Sequence, residues 1–283
     1  MIKISNLSRS IRKKKVLDGI NIDFEDKIYS LIGRNGAGKT TLLNIIAGCL
    51  APDSGTVEIN GKKLDTAISD ENIKYVCENV KIFNMPVKEI IKFAGLISDS
   101  FDAEFAKYAA KKLEIYDNTA KYKHLSKGVR SMAASVIGIA DQKPVLLLDE
   151  PDSGLDSVSR FDLYSLISET YDANPRTIII SSHLLDELAR TAENVIILDH
   201  GKILYNTDIN AVDEMAYSVT GRTDLVDNCL AGHELIGKCV NENISSAYFF
   251  DDKIDEIPSE LNISQLSLQE FFIRAIKGAE RNE

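Results

Sequence analysis

Gly33-Arg34-Asn35-Gly36-Ala37-Gly38-Lys39-Thr40 fits the pattern G-x-x-x-x-G-K-[ST], and Thr41 follows it directly. These residue types at this spacing suit the holding of nucleotide phosphates. Glycines let backbone N–H groups approach phosphate oxygens, a helix N-terminus supplies partial positive charge, and Lys39 adds a full one. The hydroxyl of Thr40 suits Mg²⁺, a hard cation that takes oxygen ligands. The bland alternative is a Gly-rich connector. Against it stand the apolar run before Gly33 and the helical pattern after Thr40.

A second group of candidates lies a hundred residues on. Val145-Leu146-Leu147-Leu148 is an apolar strand that ends in Asp149 and Glu150. In a parallel sheet the C-terminal strand ends share one edge, so Asp149 is expected beside the loop that follows Ile32. Mg²⁺ bound to ATP keeps several waters and takes one or two protein oxygens, which suits Asp149. Glu150 is placed to orient or deprotonate an attacking water. Two acids at a strand end are often only a solvated boundary; behind a phosphate loop the functional reading takes precedence. Ile178-Ile179-Ile180-Ser181-Ser182-His183 repeats the arrangement and brings His183 to the same edge, where it is expected to meet the terminal phosphate.

The positioning elements are legible as periodicities. Ile20, Ile22 and Phe24 alternate with Asn21, Asp23 and Glu25, the mark of a half-buried strand. Ile28 to Ile32 is a second strand, Thr40 to Ala47 a helix with Gly48 as its stop, and Asn60-Gly61 a hairpin turn. From about 85 to 143 three helical patterns replace the strands, the first behind Pro86 and the third after Ser126, a good N-cap residue. This stretch reads as a helical subdomain inserted into an α/β core. Strands and helices then alternate to about residue 210, which implies right-handed crossovers and a largely parallel sheet. Residues 1–210 are read as one domain and 211–283 as a small appended one, with an amphipathic pattern at Leu266, Leu268, Phe271, Phe272 and Ile276.

Composition narrows the classes. The 283 residues carry 43 acidic against 33 basic side chains, a net formal charge of -10 that disfavours a general nucleic-acid binder. Gly 16 and Pro 6 are too sparse for a fibrous or disordered chain. No apolar run approaches the roughly 20 residues of a spanning helix, so the chain is not read as a channel, and the start lacks a secretory signal. Cys49, Cys77, Cys229 and Cys239 are scattered and are expected to be reduced and mostly in the core.

In this order the motifs resemble the nucleotide-binding subunit of ATP-binding cassette (ABC) transporters over about residues 1–210. Leu125-Ser126-Lys127-Gly128-Val129 resembles the family's signature, usually L-S-G-G-Q, and Ser153-Gly154-Leu155-Asp156 resembles its D-loop. The resemblance implies an α/β P-loop NTPase of ABC type: a mainly parallel core, an N-terminal antiparallel β subdomain, the inserted helices and a C-terminal α+β region. It implies that Ser126, Lys127, Gly128 and Asp156 complete the ATP site of an opposite subunit, so two chains sandwich two Mg-ATP. The partners it implies are a membrane permease and a second ATPase subunit, identical or paralogous, with no nucleic acid. The chain would then lie peripherally on the inner, cytoplasmic face of the membrane. Antibiotic-export and immunity ATPases look similar at Lys127, which favours export of a peptide, antibiotic or lipid-like compound.

Four positions depart from the family pattern. Lys127 and Val129 replace Gly and Gln, and Lys127 is equally readable as a solvated first-turn residue. Glu78 stands where the family usually places a Gln near the metal; a carboxylate still accepts from metal-bound water, and a plain surface Glu is the alternative. Ile11, or by a slip Arg12, takes the place of the aromatic that stacks on adenine, which implies modest base selectivity. Arg12-Lys13-Lys14-Lys15 reads as a solvated turn. The competing functions are an ABC-type ATPase acting on ribosomes or nucleic acid, and a weakly hydrolysing regulatory module.

Overall fold

The computed structural model describes residues 1–64, 71–77, 84–182, 185–233, 235–251 and 258–279. The chain divides into two compact units, Met1–Ile203 and Leu204–Glu283.

The first unit opens with β1 (Ile2–Ile11) and β2 (Lys14–Phe24), joined by a turn at Arg12 and Lys13 whose φ angles are both positive, 48° and 68°. β3 (Ile28–Ile32) runs into the glycine-rich loop and α1 (Lys39–Ile46), then come β4 (Ser54–Ile59) and β5 (Lys62–Lys63), linked by the expected turn at Asn60 and Gly61. β6 (Ile73–Val76) precedes the helical insert of α2 (Val87–Ile97), α3 (Ala103–Lys112) and α4 (Lys127–Ala140). Pro86 is the N-cap of α2, one position earlier than its sequence preference for the first helical residue suggests. Alternation then resumes with β7 (Val145–Asp149), α5 (Ser157–Ala173), β8 (Thr177–Ser181), the four-residue α6 (Leu185–Leu188) and β9 (Asn194–Asp199), and β10 (Lys202–Asp208) runs from this unit into the second.

Two sheets result, and side-chain patterning explains the difference between them. β2-β1-β4-β5 is antiparallel, and β2 buries Ile20, Ile22 and Phe24 while exposing Gly19, Asn21 and Asp23. Only one face of such a sheet needs covering. The larger sheet has the order β10-β9-β3-β8-β7-β6, with parallel pairing from β9 through β6. Every residue of β3, β7 and β8 is buried, as strands covered on both faces require. α1 contributes Leu42, Leu43, Ile45 and Ile46 to the core that also holds Ile2, Ile22 and Phe24 of one sheet and Leu31, Leu147 and Ile179 of the other. The phosphate-loop helix is thereby fixed between two sheets.

The second unit contains α7 (Ile209–Met215), β11 (Ala216–Arg222), α8 (Thr223–Cys229), β12 (Leu235–Asn241), β13 (Ile244–Phe250), β14 (Asn262–Gln265) and α9 (Leu268–Ala279). Its antiparallel sheet has the order β12-β13-β11-β14. Alternate residues of β13 serve different clusters: Ala247 and Phe249 pack with Val219, Val226 and Leu230, whereas Phe250 meets Phe271 of α9 and Tyr205. Arg274 lies over the Tyr248 ring, 3.9 Å from its centroid.

The expectation that the cysteines sit mostly in the core is overturned. Cys49 and Cys239 are exposed, Cys77 and Cys229 are half-buried, and none of the four is in a disulfide. Each falls at an element end or on an outer strand: after α1, after β6, at the last residue of α8 and on β12.

Candidate functional site

β3 delivers the chain into the loop at Gly33, and α1 begins immediately after Gly38. Gly38 is the helix N-cap with φ 114°, and a Cβ there would stand 2.9 Å from the Val16 carbonyl oxygen. No other residue type adopts that backbone and fits that gap. Inside the loop the Ala37 N–H donates to Arg34 O at 3.0 Å, and the Gly201 N–H donates to Ala37 O at 3.1 Å. Lys39 is 6% exposed and its ammonium donates to Gly33 O at 2.8 Å and Arg34 O at 3.4 Å, bridging the loop. Burial pushes the Lys39 pKa down, and the negative charges of Glu150 and Asp149 only partly restore it.

The loop borders a cavity of about 400 Å³. Asn35, Gly36, Gly38, Lys39, Thr40 and Thr41 form its floor, and Val16 and Glu150 its walls. Ala37 is buried beneath the loop and Arg34 is exposed outside the lining. A concave nest of backbone N–H groups, a lysine and a helix N-terminus is the donor set a triphosphate needs.

Thr40 and Asp149 meet at this cavity, with Thr40 Oγ1 donating to Asp149 Oδ1 at 3.2 Å. Asp149 also accepts from Ser181 Oγ at 2.6 Å and from Tyr75 Oη, on its other oxygen, at 3.4 Å. Burial, with the Asp149 charge added, pushes the Tyr75 phenol far above its usual value, so it stays a donor. No cluster of three or more His, Cys, Asp or Glu capable of holding a metal occurs among the described residues. A hydroxyl and one carboxylate suit Mg²⁺, which completes its shell with phosphate oxygens and water.

Glu150 is half-buried and takes φ 50°, a left-handed conformation that costs a non-glycine residue about 1 kcal/mol or more. Its N–H holds that geometry by donating to Ser181 O at 3.1 Å and Ser181 Oγ at 3.0 Å. Ser181 therefore fixes both acids. Register explains this, because Asp149 and Ser181 are paired residues of β7 and β8. Ser181, Tyr75 and Val16 escaped the sequence reading. Only the strand order β6-β7-β8 and the hairpin's approach to the loop bring them together, although the serine following Ile180 was a usable signal.

The remaining candidates form a different grouping. Ser126 is the exposed N-cap of α4, its Oγ accepting from the Val129 N–H at 3.3 Å, and Lys127 beside it is exposed. Asp156 caps α5 by accepting from the Ser159 N–H at 2.9 Å, a backbone hydrogen bond that holds its carboxyl below the usual range. Gly128 packs on the loop that carries Asp156: a Cβ on it would stand 2.6 Å from Gly154 O. Ser131 Oγ donates to Pro151 O at 2.6 Å nearby. None of Ser126, Lys127, Gly128 or Asp156 lines the phosphate-loop cavity. Ile11 does not line it either; it is 44% exposed and pairs with Lys14 at the hairpin end. Glu78 and His183 lie outside the described residues.

The chain is similar to known proteins. The family model described as ABC transporter matches residues 17–153. An uncharacterized ABC transporter ATP-binding protein of Methanocaldococcus jannaschii is 35% identical over 223 residues, covering 76% of this chain and 81% of the relative. The ABC transporter ATP-binding protein YtrB of Bacillus subtilis is 30% identical over 217 residues, covering 76% of this chain and 74% of the relative. Among solved structures, an ATP binding subunit of an ABC transporter superposes with TM-score 0.66 at 23% identity, over 75% of this chain and 91% of that one. A cassette bound to ADP and Pi, solved as a dimer, gives TM-score 0.64 at 22% identity, over 74% of this chain and 99% of that one.

Proposed function

This chain belongs to the ABC transporter family of ATP-binding proteins and is an ATPase; on that premise we propose that it pairs around two Mg-ATP and thereby drives a separate membrane permease. The observation that carries the reading is the hydrogen bond at 3.2 Å from Thr40 to Asp149, at a cavity that Thr40 lines together with Lys39 and Glu150. Lys39 and the backbone of Gly33 to Thr41 bind the phosphates. Thr40 and Asp149 would hold Mg²⁺, with Glu78 as a further candidate, and the ion would supply charge neutralisation to the phosphates. Glu150 orients or deprotonates the attacking water, and His183 contacts the terminal phosphate.

The pairing accounts for the second grouping of motif residues. Ser126, Lys127 and Gly128 open a helix whose N-terminus suits an anion, yet they do not line the phosphate-loop cavity of their own chain. A second copy or a paralogous cassette, placed head to tail, presents them to the phosphates, with Asp156 alongside. Binding closes the pair and hydrolysis weakens it, and that cycle is the source of mechanical work.

No helix among the described residues is long and apolar enough to cross a membrane. Leu96 and Ile97, 76% and 67% exposed at the end of α2, support docking through the helical insert at the inner membrane face. The departure at Lys127 supports export of a peptide, antibiotic or lipid-like compound.

The test is Glu150→Gln. It should keep Mg-ATP binding, lose roughly a hundredfold of hydrolysis or more, and accumulate as an ATP-dependent dimer in light scattering. Parental turnover would remove Glu150 from this role.

A further inference from the structure

Asp152 is a buried carboxylate with no part in the site described above. It is 2% exposed, and its Oδ2 accepts from Ser182 Oγ at 2.7 Å and from Tyr164 Oη at 3.0 Å. Its Oδ1 is buried without a hydrogen-bond partner among the described residues. Taking a carboxylate out of water is costly even after relaxation, and one of its two oxygens recovers nothing through a hydrogen bond among the described residues. The charge is better explained by what it connects. Through Ser182 it reaches the end of β8, and through Tyr164 it reaches α5. Ser181, the residue before Ser182, already holds Asp149 and the Glu150 N–H. Two consecutive serines thus grip two carboxylates, Asp149 and Asp152, and Glu150 is suspended between them at φ 50°.

We propose that Asp152 is a positioning residue for ATP hydrolysis, bracing the loop that carries Glu150 and Asp156 against β8 and α5. It binds neither phosphate nor metal. Its effect is on the placement of the group that handles water, so loosening it lowers turnover and spares ground-state binding. The proposal rests on the role assigned to Glu150.

Steady-state hydrolysis and Mg-ATP binding by the full chain decide it. Asp152→Leu should lower kcat about tenfold at unchanged KM, because small misplacements of a reacting group are expensive. Asp152→Asn, whose amide oxygen still accepts from a hydroxyl, should recover most of the loss. Ser182→Ala should add little to Asp152→Leu, since both remove one contact. A folded Asp152→Leu with parental kcat overturns the proposal, as does a fall in kcat matched by a proportional change in KM. Should Asp152→Leu fail to fold, Ser182→Ala combined with Tyr164→Phe carries the decision: lower kcat at constant KM sustains the brace, and parental kcat overturns it. Glu150→Gln separates the two readings. If it hydrolyses normally, the assignment of Glu150 falls and the brace, which rests on it, falls too. If it is inactive beside a parental Asp152→Leu, the brace alone falls.

Discussion

Lys74 and Asp141 form an ion pair at 2.9 Å, with 4% of the Asp141 side chain exposed, and Ser98 and Ser100 donate to the other carboxylate oxygen at 3.0 and 2.7 Å. Lys74 lies on β6, the serines follow α2, and Asp141 is the C-cap of α4. One carboxylate therefore fastens the helical insert to the sheet. Burial alone pushes its pKa up, but Lys74 and the two hydroxyls outweigh burial and hold it below the usual carboxylate value.

The depressed pKa fixes the sign of a pH dependence. Between its folded value and the unfolded value of about 3.9, the unfolded chain binds more protons, so stability falls as the pH drops through that window. Asp141→Asn should be about 3 kcal/mol less stable than the parent at pH 7, because it leaves Lys74 without its charge partner. That gap should narrow as the pH falls below about 3.9, where the unfolded parental carboxyl takes up its proton, and close only below the depressed folded value. Urea unfolding at the two pH values measures it, and an equal gap at both would assign the loss to packing.

A second expectation concerns the contact between Gly128 and Gly154. Gly128→Ala puts a Cβ 2.6 Å from a backbone oxygen, which no side-chain rotation relieves. The backbone must move, at about 1–3 kcal/mol. Thermal unfolding should therefore begin several degrees earlier, with hydrolysis reduced as the Asp156 loop shifts. Lys127→Ala, at the exposed neighbouring position, should leave Tm within about a degree or two.

Ser126 has two roles to separate, since it caps α4 and is proposed to face the partner's phosphate. Ser126→Ala should lose about 1 kcal/mol of cap, whereas Ser126→Thr keeps a hydroxyl acceptor. Ser126→Arg, made in the Glu150→Gln background, should abolish the ATP-dependent dimer while the single chain binds Mg-ATP as before. A dimer that persists in light scattering would show that α4 does not face a second nucleotide.

These cases mark what the sequence could and could not disclose. Gly33 to Thr40 and the apolar run ending at Asp149 were legible because each is a local pattern tied to one element. The half-buried face of β2 was legible for the same reason: period 2 survives wherever one side meets water. The partners of Asp149 were not, since Tyr75 stands 74 residues away and reaches it only because β6 joins the sheet beside β7. Gly128 reads naturally as an anion-binding glycine, yet its nearest constraint is a backbone oxygen of its own chain. The second unit was obscure for a different reason. β12 mixes Ile236 with Gly237, Lys238 and Cys239, and β13 serves two clusters at once, so neither shows a clean alternation.

The last expectation follows from the hairpin beside the phosphates. Val16 supplies an aliphatic wall to the cavity, while Ile11 stands at the hairpin end where the family resemblance calls for an aromatic ring. An aliphatic wall excludes water from any base alike, whereas a stacked ring adds about 1–3 kcal/mol and does so for every base. ATP and GTP should accordingly bind within about tenfold of each other. Val16→Ala should weaken both to a similar degree. Ile11→Tyr should tighten both by roughly fivefold or more, the equivalent of about 1 kcal/mol. Calorimetric titration of the three proteins with each nucleotide tests all of this, and an Ile11→Tyr protein that binds as its parent would mean that the hairpin end does not reach the base.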